Sequence, residues 1–174
     1  MRTEELGDLS PTNFDQKIKQ NMIRKNSSKL VGDEGEKIAC EYLVEKGYKI
    51  LGRNCKIYLG KGNIFGEIDI IAKKSVLRKL TAVKFLSRLF SKDYKAIHFV
   101  EVKTIFGNES NFFPEEKVDY RKRGKLRKLC MIWLNKNRFP ENYPYQIDVV
   151  GILINKNTGK AKIHYFENAV EDSF

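Results

Sequence analysis

The chain has 174 residues, 41% of them hydrophobic, which is enough for one folded domain with a buried core and argues against a disordered chain. It carries 33 Lys and Arg against 22 Asp and Glu, a net charge of +11. This excess favours a polyanionic partner, either nucleic acid or an anionic membrane surface, with a general solubility charge as the alternative. The three cysteines, Cys40, Cys55 and Cys130, lack metal-binding spacing and indicate reduced thiols.

The N-terminal stretch MRTEELGDLSPTNFDQ has no apolar segment of the kind found in signal peptides. No apolar run is long enough to span a membrane. We therefore expect a cytoplasmic protein with no membrane span. Residues 1–28 are polar and show no sustained periodicity, so we interpret them as a tail or accessory segment. Residues 29–174 are expected to form the folded domain.

Helical and strand patterns alternate along this domain. The first helix is predicted over residues 33–46 and stops at Gly47. Strands are predicted at 48–54, 64–72 and 99–104, a second helix at 117–137, and two further strands at 145–154 and 162–166. This order predicts an α/β fold with a mixed central sheet flanked by helices.

Two segments hold most of the excess positive charge. Residues 73–96 contain eight Lys and Arg against one Asp, and residues 117–138 contain nine against one Asp. The first of these interrupts the strand pattern, and its apolar residues follow helical spacing. We interpret it as a basic helical insertion that clamps nucleic acid, mediates dimerisation or contacts a membrane.

The strand FVEVKT places two opposite charges inside an apolar stretch. Side chains alternate across a strand, so Glu101 and Lys103 point the same way as Phe99. An unpaired charge buried there would cost several kcal/mol, on the order of that for a broken buried ion pair. A salt bridge between the two residues offsets part of this cost and is the structural explanation of the pattern.

The preceding strand, IFGEIDIIA, also mixes acids with apolar residues. Glu67 and Asp69 share one face with two apolar residues. The members of that face are Phe65, Glu67, Asp69 and Ile71, and those of the other are Ile64, Ile68, Ile70 and Ala72. If this strand pairs with the next, Asp69 and Glu101 converge, and two close carboxylates repel unless a cation lies between them. Mg²⁺ fits such oxygen ligands.

A third acid lies on the apolar side of the first helix. Glu36 shares a face with Ala39, Cys40 and Leu43 because these residues follow helical spacing. The alternative is a favourable interaction between a glutamate and the N-terminal end of the helix dipole.

Other polar motifs are better explained by structure than by chemistry. His98 and His164 show no ligand or triad spacing, and Asp148 is interpreted as satisfied at an edge or end position of its strand. The stretches GKGN and NTGK lack a phosphate-loop pattern and read as turns.

The three acidic motifs resemble those of a known family. Gly35-Glu36-x-x-Ala39, GEIDIIA at 66–72 and FVEVK at 99–103 are similar to motifs of the YraN family of predicted endonucleases. The resemblance continues through Arg53-Asn54 and covers roughly residues 31–154. Members of that family look like archaeal Holliday-junction resolvases. They share the restriction-endonuclease-like PD-(D/E)XK fold, with an αβββαβ core.

The resemblance implies a role for each acid. Asp69 and Glu101 would hold Mg²⁺ or Mn²⁺, helped by the backbone carbonyl of Val102. Lys103 would orient or deprotonate the attacking water, and Glu36 would support the metal directly or through a water. The implied activity is cleavage of DNA, with branched DNA and a homodimer as further expectations. Basic residues that flank the site are expected to bind nucleic acid: Lys73, Lys74, Arg78, Lys79, Lys122, Arg123 and Lys125.

Two other functions remain open at this point. One is a non-catalytic nucleic-acid-binding module on a nuclease-like fold, which would bind in a salt-sensitive way without cleaving. The other is a peripheral membrane or scaffold protein that works through residues 73–90.

Overall fold

The computed structural model describes residues 3–6, 28–60, 62–75, 95–107 and 120–170. Its elements in chain order are β1 (Thr3–Leu6), α1 (Ser28–Glu45), β2 (Tyr48–Leu59), β3 (Asn63–Lys74), β4 (Ile97–Gly107), α2 (Tyr120–Lys136), β5 (Tyr145–Asn155) and β6 (Ala161–Phe166). Within this part of the chain, the predicted order of helix, three strands, helix and two strands is confirmed.

The strands form one six-stranded sheet in the order β1-β6-β5-β4-β3-β2. The pairs β2–β3, β3–β4, β5–β6 and β1–β6 are antiparallel, whereas β4 and β5 run parallel. Parallel neighbours need a long connection, and the segment between β4 and β5 contains α2. The prediction of an α/β fold with a mixed sheet is confirmed.

Helix α1 ends where the sequence predicts. The amide of Gly47 donates to the carbonyl of Val44 at 3.0 Å, and the φ angle of Gly47 is 89°. Glycine is suited to this left-handed position because it has no Cβ. The chain then turns directly into β2, which starts at Tyr48.

The sheet separates two hydrophobic cores. The first core lies on the α1 face and includes Ala39, Cys40, Tyr42, Leu43, Ile70, Val100, Val150, Ile152 and Tyr165. The second core lies on the α2 face and includes Leu126, Leu129, Cys130, Leu134, Ile68, Ile71, Phe99, Ile147 and Val149. Since both faces are covered, the central strands are apolar on both sides, as burial of a sheet between helices requires.

The β3 strand follows the predicted alternation only where β4 lies beside it. Ile70 packs in the first core and Ile71 in the second. By contrast, Ile68 packs in the second core rather than beside Ile70, and Ile64 is 56% exposed. The β3–β4 ladder covers only Ile70–Lys73, so the rest of the β2–β3 hairpin extends past it. The pairing of β2 with β3 shifts register at two places, one on either side of Ile68, and such irregularities increase the local twist of a hairpin.

The predicted N-terminal tail and the predicted basic insertion are each described only in part. Thr3–Leu6, within the predicted tail, forms the edge strand β1 and pairs with β6. Residues 7–27 and 76–94, which hold most of the tail and of the predicted helical insertion, lie outside the described residues. Among the helices of the described ranges, none is long and apolar enough to cross a membrane.

Candidate active site

Asp69 and Glu101 lie side by side where β3 and β4 part. The ladder between these strands runs from Lys73 paired with Ile97 to Ile70 paired with Val100. Asp69 and Glu101 are the next residues on the two strands, and both line the same pocket. The two carboxylates therefore converge, as the strand pattern predicts.

The carboxyl group of Asp69 has a raised pKa. Its Oδ2 accepts a hydrogen bond of 2.7 Å from the Val102 amide, which takes the place of a further ladder bond. Removal from water, followed by the charge of Glu101, raises the pKa of Asp69 to about 7, although the Val102 hydrogen bond opposes the rise. A proton or a cation at this position would relieve the repulsion between the two acids.

Glu101 and Lys103 form the ion pair that the structural explanation requires. The Nζ atom of Lys103 lies 2.6 Å from Oε1 of Glu101. Glu101 is buried, whereas the Lys103 side chain is 27% exposed. This pair accounts for two of the three charges at the point where β3 and β4 part. It does not account for Asp69, whose carboxylate adds a second negative charge beside Glu101.

A close contact between α1 and β4 brings Glu36 to the same region. Gly35 is buried, and a Cβ at its position would overlap the side chain of Thr104 on β4. Glycine therefore permits an approach that a larger residue would prevent. Glu36, the next residue, lies near enough for its charge to add to the raised pKa of Asp69. The Gly35-Glu36 motif thus places a third acid near the pair.

Sequence reasoning did not assign a role to Asn54, which contacts this third acid. Its Nδ2 donates a hydrogen bond of 2.6 Å to Oε2 of Glu36. The sequence marks Asn54 in two ways, as a polar residue inside a predicted strand and as part of the Arg53-Asn54 motif of the resemblance. Neither signal identifies Glu36 as its partner.

The acids open into a pocket of about 220 Å³ between β3, β4 and α2. Its lining residues are Gly66, Glu67, Asp69, Glu101, Lys125, Leu126 and Leu129. Lys125 comes from α2, and its Nζ lies 5.8 Å from the centre of the Phe65 ring. The pocket thus has three acids on the sheet, of which Glu101 is buried, Asp69 half-buried and Glu67 exposed, and a lysine on the facing helix.

The predicted nucleic-acid-binding residues fall into three groups. Lys125 lines the pocket, and Arg123 lies on the same helix. Arg78, Lys79 and the side chain of Lys122 lie outside the described part of the chain. The remaining two, Lys73 and Lys74, are at the far end of β3.

Lys73 and Lys74 make contacts within the protein. Lys73 donates to the hydroxyl of Tyr143 at 3.0 Å, and Lys74 pairs with Glu167 at 3.1 Å. They are four and five residues from Asp69 along the strand, which is roughly 13 Å or more at about 3.3 Å per residue. The structure does not bring them to the pocket.

A second polar cluster lies in the sheet, centred on Asp148. This aspartate is fully buried and interacts with four groups. Their distances are 2.8 Å to Nδ1 of His98, 2.7 Å to the hydroxyl of Tyr165, 2.7 Å to Nε2 of Gln146 and 2.8 Å to the amide of Asn168. These contacts agree with the structural roles expected for His98 and Asp148. The expected edge or end position of Asp148 is wrong, because the residue lies within β5, between β4 and β6.

The oxygen atoms of the pocket suit a hard divalent cation. In the described ranges, no set of three or more His, Cys, Asp or Glu side chains is placed to hold a metal. Mg²⁺, however, is commonly held by one or two carboxylates together with waters. Asp69 and Glu101 supply two adjacent carboxylates whose mutual repulsion such an ion would remove. The donor set therefore fits Mg²⁺ or the similar Mn²⁺.

The fold and the site together define an α/β protein with two adjacent acids, Asp69 and Glu101, and a lysine, Lys103, that contacts Glu101. The basic helix α2 faces the acids across the pocket. Residues 35–152 match the model of a family described as "Uncharacterised protein family UPF0102". The chain belongs to this family, which is the YraN family that its motifs resemble. The matched span contains Glu36, Asp69, Glu101 and Lys103.

Several members of the family are similar to this chain over most of their length. A UPF0102 protein from Caldanaerobacter subterraneus subsp. tengcongensis is 34% identical over 152 residues, covering 84% of this chain and 99% of the relative. One from Clostridium acetobutylicum is 33% identical over 144 residues, covering 83% and 96%. One from Thermodesulfovibrio yellowstonii is 34% identical over 139 residues, covering 80% and 94%.

Proposed function

We propose that this protein is a metal-dependent nuclease that hydrolyses phosphodiester bonds in DNA. The observation that carries the proposal is the pair of adjacent carboxylates, Asp69 and Glu101, in one pocket with the ammonium group of Lys103 on Glu101. Two adjacent carboxylates in a partly buried pocket lower the stability of the fold. Ionisable groups with such unfavourable surroundings are typical of functional sites.

The order of the elements supports a nuclease fold. From α1 to β5 the chain runs helix, three strands, helix and strand, with β2, β3 and β4 antiparallel and β5 parallel to β4. This is the αβββαβ order expected of the restriction-endonuclease-like PD-(D/E)XK core. Asp69 and Glu101 lie on the second and third strands of that order, which supports the roles that the resemblance implies for them.

Asp69 and Glu101 would hold Mg²⁺ or Mn²⁺, helped by the Val102 carbonyl and by Glu36. When bound, the ion would neutralise the acid pair and stabilise the negative charge that grows on the phosphoryl oxygens during cleavage. The protein contributes the fixed positions of the two carboxylates. The hydrogen bond from the Val102 amide orients Asp69, and Lys103 orients Glu101.

Lys103 is the residue best placed to act on the attacking water. Its contact with Glu101 fixes the ammonium group at the acid pair, while the side chain remains 27% exposed and so accessible to water. A fixed N–H donor at this point can orient a water molecule toward a phosphate by donating a hydrogen bond to its oxygen. The same residue was assigned this role by the resemblance.

The facing helix supplies the contact with the DNA backbone. Lys125 lines the pocket opposite the acids, and the net charge of +11 favours a polyanion. Phosphate contacts from lysine position the backbone without reading its sequence. A branched or otherwise non-duplex substrate and a homodimer that cuts two strands belong to the proposal through the resemblance to resolvases.

One observation favours the non-catalytic alternative. The Glu101–Lys103 ion pair satisfies two of the charges without a metal. A binding module of this kind would bind DNA or RNA in a salt-sensitive way and would not cleave it with any divalent ion.

The test is cleavage of a panel of branched, flapped and linear DNA with Mg²⁺ or Mn²⁺. The variants are Asp69→Asn, Glu101→Gln and Lys103→Met, and the matched control is Glu41→Gln, an exposed position on α1. We expect the wild type and the control to cleave at the same rate and the three variants to lose about 100-fold or more. Equal cleavage by the variants would contradict the assignment, and binding without cleavage would favour the alternative.

A further inference from the structure

Asn54 has a backbone conformation that strands rarely contain. It lies within β2, yet its φ angle is 47°, in the left-handed region. Residues with a Cβ are disfavoured there, and asparagine is among those that tolerate it best. A conformation of this kind persists only where its surroundings hold it, and it occurs preferentially at functional sites.

The strand register places Asn54 beside the acid pair. The residues on either side of it pair with Ile70 and Ile68 of β3, so Asn54 itself lies level with Asp69. On the other side of Asp69, the continuation of the β3–β4 ladder brings Glu101. Asn54 is therefore the edge-strand member of a line of positions that crosses three strands through both acids.

The side chain of Asn54 contacts Glu36, on α1, rather than the acids beside it. Its Nδ2 lies 2.6 Å from Oε2 of Glu36. The charge of Glu36 acts on Asp69, and because like charges repel, rotamers that turn the Glu36 carboxylate away from Asp69 are favoured. The amide opposes this rotation because it fixes one carboxylate oxygen on the side of β2.

The chemistry of an amide suits such a contact. Asparagine donates a hydrogen bond but carries no charge, so Glu36 retains its full negative charge. A lysine or arginine in the same place would form an ion pair and compete with a bound cation. Groups that hydrogen-bond to metal-supporting carboxylates in this way set their orientation.

We propose that Asn54 is a positioning residue that holds the Glu36 carboxylate on the side of Asp69, so that Glu36 can support, directly or through a water, a divalent cation held by Asp69 and Glu101. The inference rests on the proposed function, because it assumes that the pair binds a cation. Asn54 touches neither the cation nor DNA and acts through Glu36.

A purely structural role is the alternative: asparagine would be present only because it tolerates the left-handed backbone. Glycine separates the two roles. Asn54→Gly accepts a positive φ without strain and removes only the side-chain amide. If the role is structural, this variant leaves cation binding unchanged. If the amide positions Glu36, cation binding weakens while the fold is kept.

The experiment titrates MnCl₂ calorimetrically into the full chain and its variants, with thermal denaturation in the absence of metal as a second measurement. The variants are Asn54→Gly, Glu36→Gln and the two combined. The matched control is Asn168→Gly, which removes an exposed asparagine with a φ angle of 52° on the turn after β6.

We expect Asn54→Gly to bind Mn²⁺ about 10-fold more weakly than the wild type, the lower limit for loss of a group that orients a ligand. Its Tm should stay within a few degrees, and Asn168→Gly should bind as the wild type does. The double variant should bind no more weakly than Glu36→Gln alone, because Asn54 acts only through Glu36.

Three results would overturn the inference alone, provided that the wild type binds Mn²⁺ and Asp69→Asn does not. These are wild-type affinity in Asn54→Gly, wild-type affinity in Glu36→Gln, and additive losses in the double variant. A wild type that binds no Mn²⁺ would instead overturn the proposed function, and the inference with it.

Discussion

The polar clusters around Asp148 and Asp69 differ in the groups that surround each carboxylate. Asp148 is fully buried and is surrounded by four hydrogen-bonding groups from β4, β5, β6 and the turn after β6. Asp69 accepts the hydrogen bond of the Val102 amide and faces the negative charges of Glu101 and Glu36. Both are aspartates in one sheet, so the difference lies in their neighbours.

This difference separates a structural from a functional buried acid. Buried polar groups in folded proteins are almost always matched by partners, and Asp148 follows this rule. An acid placed beside other acids lowers stability unless a further positive charge arrives, and such arrangements are typical of sites. The comparison predicts that the Asp148 cluster maintains the fold, whereas the Asp69 pair lowers stability in exchange for cation binding.

The largest expected effect on stability comes from removing Asp148, whose carboxylate has four hydrogen-bonding partners. Asp148→Ala leaves buried donors on His98, Tyr165 and Gln146 without their acceptor. We expect the free energy of unfolding to fall by about 3–5 kcal/mol, measured by urea denaturation. Asp33→Ala, at an exposed position on α1, is the control and should change it by less than about 0.5 kcal/mol. If Asp148→Ala lowers the free energy of unfolding by less than about 1 kcal/mol, the Asp148 cluster does not maintain the fold as predicted.

Removing the charge of Asp69, which lies beside other acids, should raise the free energy of unfolding rather than lower it. Asp69→Asn keeps an oxygen that can accept the Val102 hydrogen bond but removes the charge that repels Glu101. At pH 8 without metal, we expect this variant to be more stable than the wild type, by on the order of 1–3 kcal/mol. Urea denaturation checks this, and a destabilised variant would contradict it.

The same charge gives the wild type a defined pH dependence. The pKa of Asp69 rises from 3.8 to about 7 on folding, so the folded protein binds this proton more tightly than the unfolded chain. The Asp69 contribution to the free energy of unfolding is therefore present below about pH 4 and is lost as the pH rises through about 7. Asp69→Asn should remove this decline between pH 5 and 8, and an equal decline in both proteins would exclude Asp69 as its cause.

A somewhat smaller loss is expected where α1 meets β4. Gly35→Ala adds a Cβ that overlaps the Thr104 side chain, so α1 must shift and Glu36 with it. We expect a loss of about 1–3 kcal/mol in stability, measured by thermal denaturation. Gly32→Ala on the same helix meets nothing within 4 Å, and it should stabilise the protein by about 0.5–1 kcal/mol. Equal effects at both positions would show that the contact with β4 is not close.

The smallest effect concerns the lysine that faces the acids. Lys125→Ala should weaken DNA binding a few-fold and reduce the slope of log affinity against log salt by about 1. Lys128→Ala, an exposed position on the same helix that does not line the pocket, is the control and should change the slope less. Fluorescence anisotropy at several salt concentrations measures both, and identical slopes in both variants would remove Lys125 from the DNA-binding surface.

Most of the fold could be predicted because it follows local patterns. Apolar alternation identified the strands, helical spacing identified α1 and α2, and Gly47 marked the end of α1. The strand Thr3–Leu6 could not be predicted, because its sequence TEEL is polar and its pairing with β6 joins the two ends of the chain. The position of Ile68 in the second core depends on the twist of the β2–β3 hairpin, which alternation does not describe.

The acid pair was predictable in part, since alternation places Asp69 beside Ile71 and Glu101 beside Phe99, and the further assumption that the two strands pair brings the acids together. Asn54 was not, because a left-handed residue in a strand leaves no periodic signal. Its partner Glu36 is 18 residues away and reaches it only because Gly35 lets α1 pack closely on β4. The donors to Asp148 were equally hidden, since they come from separate segments.

The most direct test of the central claim is a calorimetric titration of Mn²⁺ into the wild type and Glu101→Gln, with both proteins shown to be folded. We predict that the wild type binds the ion and that Glu101→Gln does not bind it measurably. If the wild type shows no binding, or if both proteins bind equally, the contact between Glu101 and Lys103 is a structural ion pair, and the acid pair is not a metal site.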